Sequence, residues 1–218
     1  SSPFPGATRR VGFPDPPPTG GALPSIGGVG FGYRLTRGEG RGRIGTDMGA
    51  LRTILAGKTV GIAGCGGLGS NCAAALVRCG VGRLILVDFD VVSDGNLNRQ
   101  FYFRDQVGRK KVEALAENLR RIDPGVNLEL HEVRLDPERI VGLFAGCDLI
   151  VEAFDAADQK VMLLETVLTE FPDKFLVAAS GLAGFGHVDE IVSRRSGKLV
   201  VVGDFHSEIS EQCPPLAP

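Results

Sequence analysis

A glycine-rich turn is the first feature whose residue types and spacing could do chemistry. Gly64, Gly66 and Gly69 form a Gly-x-Gly-x-x-Gly pattern between the apolar run 59–63 and an Ala-rich segment. Glycines at a strand-to-helix turn permit a tight bend and let phosphates approach backbone N–H groups at the helix N-terminus. Asp88 lies 19 residues past Gly69, where a carboxylate can accept hydrogen bonds from ribose hydroxyls. The pattern predicts a nucleotide site.

Basic and amide side chains follow the second predicted strand. Asn96 and Arg99 lie in the run 96–100, and Lys111 follows in the next basic stretch. Arg binds phosphates bidentately and Lys acts as a mobile point charge, so this pair suits the β and γ phosphates of a triphosphate. A dehydrogenase has no need for such cations at the far end of its nucleotide. The residues therefore favour ATP over NAD, and an NAD-dependent oxidoreductase is the alternative class.

Apolar runs and helical periodicities alternate along the chain from residue 58. The predicted strands cover 59–63, 83–88, 127–133, 149–151 and 175–179. The predicted helices cover 48–55, 70–78, 104–122, 136–145 and 157–171, with Gly80 ending the second and Asp136 capping the fourth. Segments 188–194 and 198–202 read as a C-terminal β-hairpin extension. We expect an α/β fold with a doubly wound, mainly parallel, Rossmann-like sheet.

Four ordered motifs resemble the adenylation domain of ubiquitin-activating enzymes and their bacterial relatives, the ThiF/MoeB/HesA family. These motifs are Gly64–Gly69, Val87–Val92, Asn96–Gln100 and Gly108–Glu113. The resemblance runs from about Lys58 to the end of the chain. The short form, with the Pro-rich stretch 214–218, is most similar to ThiF-type proteins that adenylate a sulfur carrier in thiamine biosynthesis.

The resemblance implies ATP-dependent adenylation of the C-terminal carboxylate of a ubiquitin-like carrier that ends in Gly-Gly, with release of pyrophosphate. The implied nucleotide-binding set is Gly64, Gly66, Gly67, Gly69, Asp88, Asp90, Asn96, Arg99 and Lys111. The implied catalytic set is Arg99, Lys111 and Asp155. Asp155 is also the expected Mg²⁺ residue, with Asp158 as the neighbouring candidate. Cations at these positions would stabilise charge on the departing pyrophosphate.

The resemblance also implies a homodimer in which an N-terminal arginine of one subunit reaches the ATP of the other. The candidates are Arg34, Arg37, Arg41 and Arg43. Cys213 lies where some relatives place a thiol that receives the carrier; it has no basic neighbour in sequence, so we expect an ordinary loop thiol. The alternative within the family is a threonylcarbamoyladenosine tRNA dehydratase, and a third class is a nucleotide-binding scaffold that has lost catalysis.

Composition sets the remaining expectations. The 218 residues are 43% hydrophobic with a net charge of -2, so nucleic-acid binding is not expected. The sequence shows no long apolar stretch and no signal peptide, which predicts a cytoplasmic protein without a membrane role. Five cysteines without a CxxC pair predict no zinc site.

Domain organisation follows from a change in composition. The Gly- and Pro-rich residues 1–45 predict a flexible arm or linker, and residues 46–218 predict the ATP-binding adenylation domain. The chain begins at Ser1 rather than Met and stops within a Pro-rich stretch, so we expect both ends to be incomplete.

Overall fold

The computed structural model describes residues 48–181 and 190–205. The chain divides into two units, Ser1–Ile44 and Gly45–Pro218, and all described residues belong to the second. The predicted arm, 1–45, lies outside the described residues. So do the four candidate arginines, Arg34, Arg37, Arg41 and Arg43, and the thiol of Cys213.

Strands and helices alternate over the described residues. The strands are β1 Thr59–Ala63, β2 Arg83–Val87, β3 Asn127–His131, β4 Leu149–Glu152, β5 Phe175–Ala179, β6 Val192–Ser196 and β7 Leu199–Gly203. The helices are α1 Met48–Ala56, α2 Gly67–Cys79, α3 Lys111–Ile122, α4 Pro137–Phe144 and α5 Ala157–Glu170. Single 3-10 turns cover Asp94–Asn96 and Arg104–Gln106.

The strands form one sheet in the order β3-β2-β1-β4-β5-β7-β6. All neighbours run parallel except β6 and β7, which are antiparallel. Val60 of β1 aligns with Leu84 of β2 on one side and with Leu149 of β4 on the other. The chain winds outward in both directions from β1, which confirms the doubly wound α/β prediction and places the topological switch between β1 and β4.

The C-terminal hairpin is part of this sheet. β7 pairs in parallel with β5, so that Leu176 aligns with Leu199, and β6 turns back from β7 through Gly197 with φ +58°. The strands start later than the sequence predicted, at Val192 and Leu199. The hairpin therefore continues the central sheet rather than forming a separate appendage.

Helices cover the two faces of the sheet and bury a core on each. Because neighbouring strand residues point to opposite faces, Leu84 and Leu86 pack with α2 and α3, whereas Ile85 and Val87 pack with α4 and α5. A parallel strand covered on both faces is apolar almost throughout, as β1 and β2 are. No helix among the described residues is long and apolar enough to cross a membrane.

Two helix ends have the caps that the sequence predicts. Gly80 ends α2 in the left-handed conformation, with φ +93°. The Asp136 carboxylate accepts a hydrogen bond of 2.9 Å from the N–H of Arg139, and Pro137 occupies the first position of α4. Helix α2 begins at Gly67 rather than at residue 70, so part of the glycine turn forms its first turn.

The predicted helix 104–122 is wrong in its first half. Residues 104–106 form a 3-10 turn, Gly108 has φ +87°, and α3 begins only at Lys111. The intervening chain pairs with Val92, whose N–H donates to the Arg109 carbonyl at 2.8 Å. Lys111 is therefore the first residue of a helix rather than a residue in the middle of one.

Candidate functional site

The glycine turn joins β1 to α2 at the carboxyl edge of the parallel strands. Gly64 has φ +97°, and its N–H donates to the Val87 carbonyl at 2.8 Å. A Cβ on Gly64 would lie 2.7 Å from the Ala153 carbonyl oxygen, and one on Gly69 would lie 1.8 Å from the Gly64 carbonyl oxygen. The packing of the chain itself therefore requires glycine at positions 64 and 69.

Gly66 and Gly67, the two middle glycines of the turn, have more space around them than Gly64 and Gly69. A Cβ on Gly66 would lie 3.8 Å from Nε2 of Gln100, and one on Gly67 would lie 3.5 Å from Cγ of Arg99. Both distances are ordinary van der Waals contacts, so packing does not require glycine at either position. Without these two Cβ atoms, the backbone at the N-terminus of α2 stays accessible, and a helix N-terminus favours anions. The pair fits close approach by a phosphate group.

Asp88 follows β2 directly, as predicted, and its carboxylate is bound to the turn. Oδ2 accepts from the Cys65 N–H at 2.7 Å, and Oδ1 accepts from the Asp90 N–H at 2.8 Å. Each oxygen has a further lone pair, so the half-buried carboxylate can still accept a hydroxyl group. Burial raises the pKa of the Cys65 thiol, and the charge of Asp88 raises it further, so Cys65 packs as a neutral side chain.

Lys111 is brought to the turn by the start of α3. Its Nζ donates to Asp90 at 2.8 Å, and its backbone N–H donates to the Asp90 carbonyl at 3.0 Å. The residue is only 6% exposed. Its charge acts on the Cys65 thiol, whose pKa it lowers against the larger effect of burial. The structure thus groups Lys111, Asp90 and Asp88 on one side of the glycine turn.

Arg99 lies beside Gly67 at the start of α2. Its guanidinium donates to the Gly95 carbonyl at 3.1 Å and to Oδ1 of Asn98 at 2.9 Å. Its aliphatic stem lies against Gly67. Within residues 48–181 and 190–205, Arg99 forms no ion pair with a carboxylate. Arg99 therefore places an uncompensated positive charge beside the N-terminus of α2.

Two asparagines hold the Arg99 loop in place. Asn71 of α2 donates from Nδ2 to the carbonyls of Gly67 and Arg99, at 2.7 and 2.8 Å. Asn96 accepts from the Ser93 N–H at 3.1 Å, and its carbonyl accepts from the Arg99 N–H at 3.3 Å. The half-buried Asn96 side chain thus helps to hold the loop. Its contact with phosphate stays a prediction.

Asp155 is placed near the site but not joined to it. It follows β4, the neighbour of β1, and is exposed with no hydrogen bond or ion pair to the described residues. Asp158 is exposed in the first turn of α5. No group of three His, Cys, Asp or Glu side chains among the described residues could hold a metal ion. A lone carboxylate suits Mg²⁺ carried on a nucleotide, whose other ligands are phosphate oxygens and water.

Two residues beside the turn were not singled out from the sequence. The buried Tyr102 hydroxyl donates to the Cys65 carbonyl at 2.7 Å and so supports the glycine turn. Gln100 is 8% exposed, and its Oε1 is buried without a hydrogen-bond partner in the described part of the chain. Gln100 follows Arg99 directly and Tyr102 lies two residues further on, but the sequence does not show that either side chain points inward.

A buried ion pair also lies at this edge of the sheet. The Glu152 side chain is fully enclosed at the end of β4 and pairs with Lys160 of α5, which also donates to the Ala179 carbonyl at 3.0 Å. Glu152 also accepts from the Phe154 N–H at 2.8 Å. Burial raises the pKa of Glu152, against the lowering effect of Lys160. The pair fixes the start of the loop that carries Asp155.

The fold and the site define an α/β protein of the doubly wound, Rossmann-like class, with a glycine turn and flanking charges at the carboxyl edge of its sheet. The chain belongs to the ThiF family, whose family model matches residues 45–211.

Curated relatives match part of this chain. Ubiquitin-like modifier-activating enzyme 5 of Drosophila persimilis is 50% identical over 78 residues, which cover 36% of this chain and 20% of that protein. The Caenorhabditis briggsae enzyme of the same name is 43% identical over 89 residues, 41% of this chain and 21% of that protein. The matches thus span about a fifth of the length of these relatives.

Solved structures share the fold. The E. coli tRNA N6-threonylcarbamoyladenosine dehydratase in complex with ATP has a TM-score of 0.69 at 23% identity, over 77% of this chain and 81% of that one. E. coli MccB with ATP has a TM-score of 0.55 at 23% identity, over 66% of this chain and 41% of that one. At this identity the likeness concerns the fold.

Proposed function

We propose that this chain is an ATP-dependent adenylyltransferase that joins AMP to the C-terminal carboxylate of a ubiquitin-like protein. The observation that carries the proposal is the Arg99 guanidinium, which lies beside Gly67 and the N-terminus of α2 without a carboxylate partner in the described residues. A cation and a helix N-terminus together form a place for phosphate. Membership of the ThiF family supports this choice of reaction.

The proposed reaction is a displacement at the α-phosphorus. A carboxylate oxygen of the carrier forms the new P–O bond, and the bond to the bridging oxygen breaks with its electron pair leaving on pyrophosphate. The backbone at Gly66 and Gly67 would hold the phosphates, and Asp88 would accept hydrogen bonds from the ribose. Arg99 and Lys111 would stabilise the charge on pyrophosphate, which is electrostatic catalysis by groups already in position.

Mg²⁺ is the metal that we propose to accompany ATP. When bound, it would neutralise phosphate charge as a Lewis acid. The carboxylate of Asp155 would hold it, since this side chain is exposed at the carboxyl edge and has no partner in the described residues. Asp155 itself contacts no reacting atom in this scheme and acts through the ion.

The partner is proposed at two levels of detail. The names of the relatives support a ubiquitin-like protein, and we propose that it ends in Gly-Gly, a tail without side chains that can enter a narrow site. The finer proposal, from the resemblance, is a sulfur carrier of the thiamine type. A ubiquitin-like modifier is the second candidate, favoured by relatives that are up to 50% identical over the matched residues. A homodimer with an N-terminal arginine reaching across remains a proposal.

Calorimetric titration of Mg-ATP and of NAD into the purified chain tests the proposal. We expect ATP to bind, and Arg99→Ala to weaken binding by at least about tenfold, because a charged hydrogen bond to phosphate is lost. Arg104→Ala is the matched control, since its side chain is 86% exposed and pairs only weakly with Asp94 at 3.4 Å. Tight NAD binding that Arg99→Ala leaves unchanged would overturn the proposal in favour of an oxidoreductase.

Exchange of labelled pyrophosphate into ATP identifies the acceptor. We expect exchange only when a carrier with a free C-terminal Gly-Gly is present, and loss of exchange when the carrier lacks these two glycines. A sulfur carrier and a ubiquitin-like modifier are compared at equal concentration. Exchange supported by threonylcarbamoyl-modified tRNA, and by neither protein, would replace the proposed carrier with the tRNA.

A further inference from the structure

The two edges of the sheet differ in how their charges are compensated. The sheet ends at β3 on one side and at β6 on the other. On β3, Glu129 pairs with Arg83 and lies 2.7 Å from Nε2 of His131, so the protein itself compensates its charge. On β6 every residue is exposed, and the third and fourth residues are Arg194 and Arg195. The β6 edge therefore presents positive charge to the solvent.

The basic edge, as we name it, consists of Arg194 and Arg195 on β6 and Lys198 just before β7. The stretch 192–199 contains no acidic residue, although the whole chain has a net charge of -2. Within residues 48–181 and 190–205, none of the three cations forms an ion pair with a carboxylate. The charge of the basic edge is therefore available to a partner.

Aromatic rings order the cations of the basic edge. Cζ of Arg194 lies 4.2 Å from the ring centre of Phe205. Nζ of Lys198 lies 4.2 Å from the ring centre of Phe175, and Cζ of Arg195 lies 5.5 Å from the same centre. The face of an aromatic ring attracts a cation, so these contacts restrict the side chains before any partner binds. Ordering in advance reduces the entropy cost of association.

The backbone of β6 can accept one more strand. Among the described strands β6 pairs only with β7, in an antiparallel arrangement. In such a pair, every second residue directs its N–H and C=O groups away from the neighbouring strand. A second copy of β6 is a poor partner, because it would bring Arg194 and Arg195 of the two chains together. A strand that carries carboxylates has the complementary charge.

We propose that the basic edge is a docking surface for an extended acidic segment of a partner protein, which adds to the sheet as a strand beside β6. Consecutive strand residues point to opposite faces, so Arg194 and Arg195 flank the edge on its two sides. Two consecutive acidic residues of the added strand alternate in the same way and would meet one arginine each.

This surface is separate from the glycine turn. Strand β7 runs parallel to β5 and begins beside it, with Leu199 aligned with Leu176. Lys198 therefore lies at the amino end of the parallel strands, whereas the glycine turn lies at their carboxyl end. The docking proposal goes beyond the proposed function and does not depend on it.

Single-stranded RNA is a less suitable occupant of the basic edge. Proteins bind single strands by combining positive charge with aromatic faces on which bases stack. The rings of Phe175 and Phe205 already have cations over them, so stacked bases would compete with those contacts. RNA also lacks the amide groups that could continue the hydrogen bonding of a sheet. An acidic polypeptide uses both the charge and the backbone of β6.

Fluorescence anisotropy with a defined peptide tests the proposal. The probe is a fluorescein-labelled peptide with the sequence Thr-Val-Thr-Glu-Glu-Thr-Val-Thr and capped ends, which reads the same in both directions. We expect the full chain to bind it, and to bind it less tightly in 1 M salt. The double variant Arg194→Gln/Arg195→Gln should raise Kd by about tenfold or more. Its Tm should be unchanged, because both residues are exposed.

The matched control is the double variant Arg120→Gln/Arg121→Gln. These two arginines are also adjacent and exposed, in the last turn of α3, and Cζ of Arg121 lies 5.7 Å from the ring centre of Phe103. The change in net charge is the same, but no sheet edge is involved. We therefore expect an unchanged Kd for the peptide.

Two further peptides separate charge from strand addition. A peptide with Lys-Lys in place of Glu-Glu should not bind, and neither should the acidic peptide with methylated backbone nitrogens, which cannot complete the sheet hydrogen bonds. Hydrogen exchange should slow at β6 amides when the acidic peptide is added and stay unchanged at β3.

Several results would overturn the proposal. The wild type may fail to bind the acidic peptide, or the two double variants may weaken binding equally. Equal affinity for the methylated peptide would show attraction of charge without strand addition. Tighter binding of an oligouridine than of the peptide, lost in Arg194→Gln/Arg195→Gln, would replace the acidic segment with RNA.

Discussion

Nζ of Lys111 and the carboxylate of Asp90 form an ion pair of 2.8 Å, in which the lysine side chain is 8% exposed and the carboxylate 50%. The backbone N–H of Lys111 donates to the carbonyl of the same aspartate at 3.0 Å. The first residue of α3 is therefore fixed to the loop after β2 through both its backbone and its side chain. Asp90 is in this way the group that positions the proposed phosphate-binding lysine.

This pair predicts a measurable coupling between the two residues. A double-mutant cycle with Asp90→Asn and Lys111→Met should give a coupling free energy of about 1 kcal/mol in urea unfolding, because the carboxylate is half exposed. The coupling should fall in 1 M salt. In calorimetry, Lys111→Met should weaken ATP binding more than Asp90→Asn does. Strictly additive single variants would show that the pair contributes nothing to stability.

The glycine turn contains two kinds of glycine. Packing requires Gly64 and Gly69, whereas Gly66 and Gly67 are proposed to let phosphate approach the backbone. Gly69→Ala should lower the free energy of unfolding by about 3 kcal/mol or more, because its Cβ would lie 1.8 Å from a carbonyl oxygen. Gly67→Ala should leave stability unchanged or slightly higher, since α2 begins there, and should weaken ATP binding. Circular dichroism melts and ATP titrations measure the two effects. Normal ATP affinity in Gly67→Ala would contradict the proposed approach of phosphate.

The Tyr102 hydroxyl supports the turn through a hydrogen bond of 2.7 Å to the Cys65 carbonyl, and it also lies 3.4 Å from the Lys111 carbonyl. Burial raises the pKa of Tyr102, so its phenol remains a donor at neutral pH. Tyr102→Phe should lower the free energy of unfolding by about 1–2 kcal/mol, because the Cys65 carbonyl then lacks its partner. Urea unfolding at constant m-value checks this. Unchanged stability would mean that water replaces the hydroxyl.

The buried pair of Glu152 and Lys160 predicts a pH dependence. Burial raises the pKa of Glu152, so the folded state binds more protons than the unfolded state between the unfolded pKa of about 4.3 and the raised folded pKa. The contribution of Glu152 to stability is therefore greatest below the unfolded pKa. It declines as the pH rises through the folded pKa. Glu152→Gln should remove the decline, measured as the free energy of unfolding from pH 4 to pH 8.

Removing the cation of the same pair should extend that decline to higher pH. Lys160→Met should lower the free energy of unfolding by about 3 kcal/mol at pH 8, because it leaves a buried carboxylate unpaired, and by much less at pH 4. The double variant with Glu152→Gln should recover most of the loss. A loss of equal size at both pH values would show that Lys160 acts through packing alone.

Much of the fold follows from local patterns in the sequence. Gly80 and Asp136 identify helix ends because each satisfies backbone groups in its own vicinity. The helix 104–122 was predicted wrongly because Val107 fits the apolar periodicity of Leu115 and Leu119. In the folded chain Val107 is 38% exposed, and its neighbours Gly108 and Arg109 pair with Val92. Periodicity cannot show that a segment has a closer partner elsewhere.

The site was predictable only where chain order determines position. Asp88 could be placed because it follows a parallel strand whose end must meet the glycine turn. The pairing of Lys111 with Asp90 depends on where α3 begins, which the sequence did not show. The burial of Gln100 depends on side-chain direction within a loop, and polar residue type alone predicts the opposite.

The glycine turn is completed by residues at the end of β4, which lies far along the sequence from the turn. Gly64 packs against the Ala153 carbonyl, and the Thr59 N–H donates to Asp148, 89 residues onward. During synthesis the motif residues emerge well before β4, and contacts so distant in sequence form slowly. A nascent chain that has not yet reached residue 153 lacks the finished turn. The proposed nucleotide binding would therefore follow assembly of the sheet, which it would stabilise by mass action instead of starting its folding.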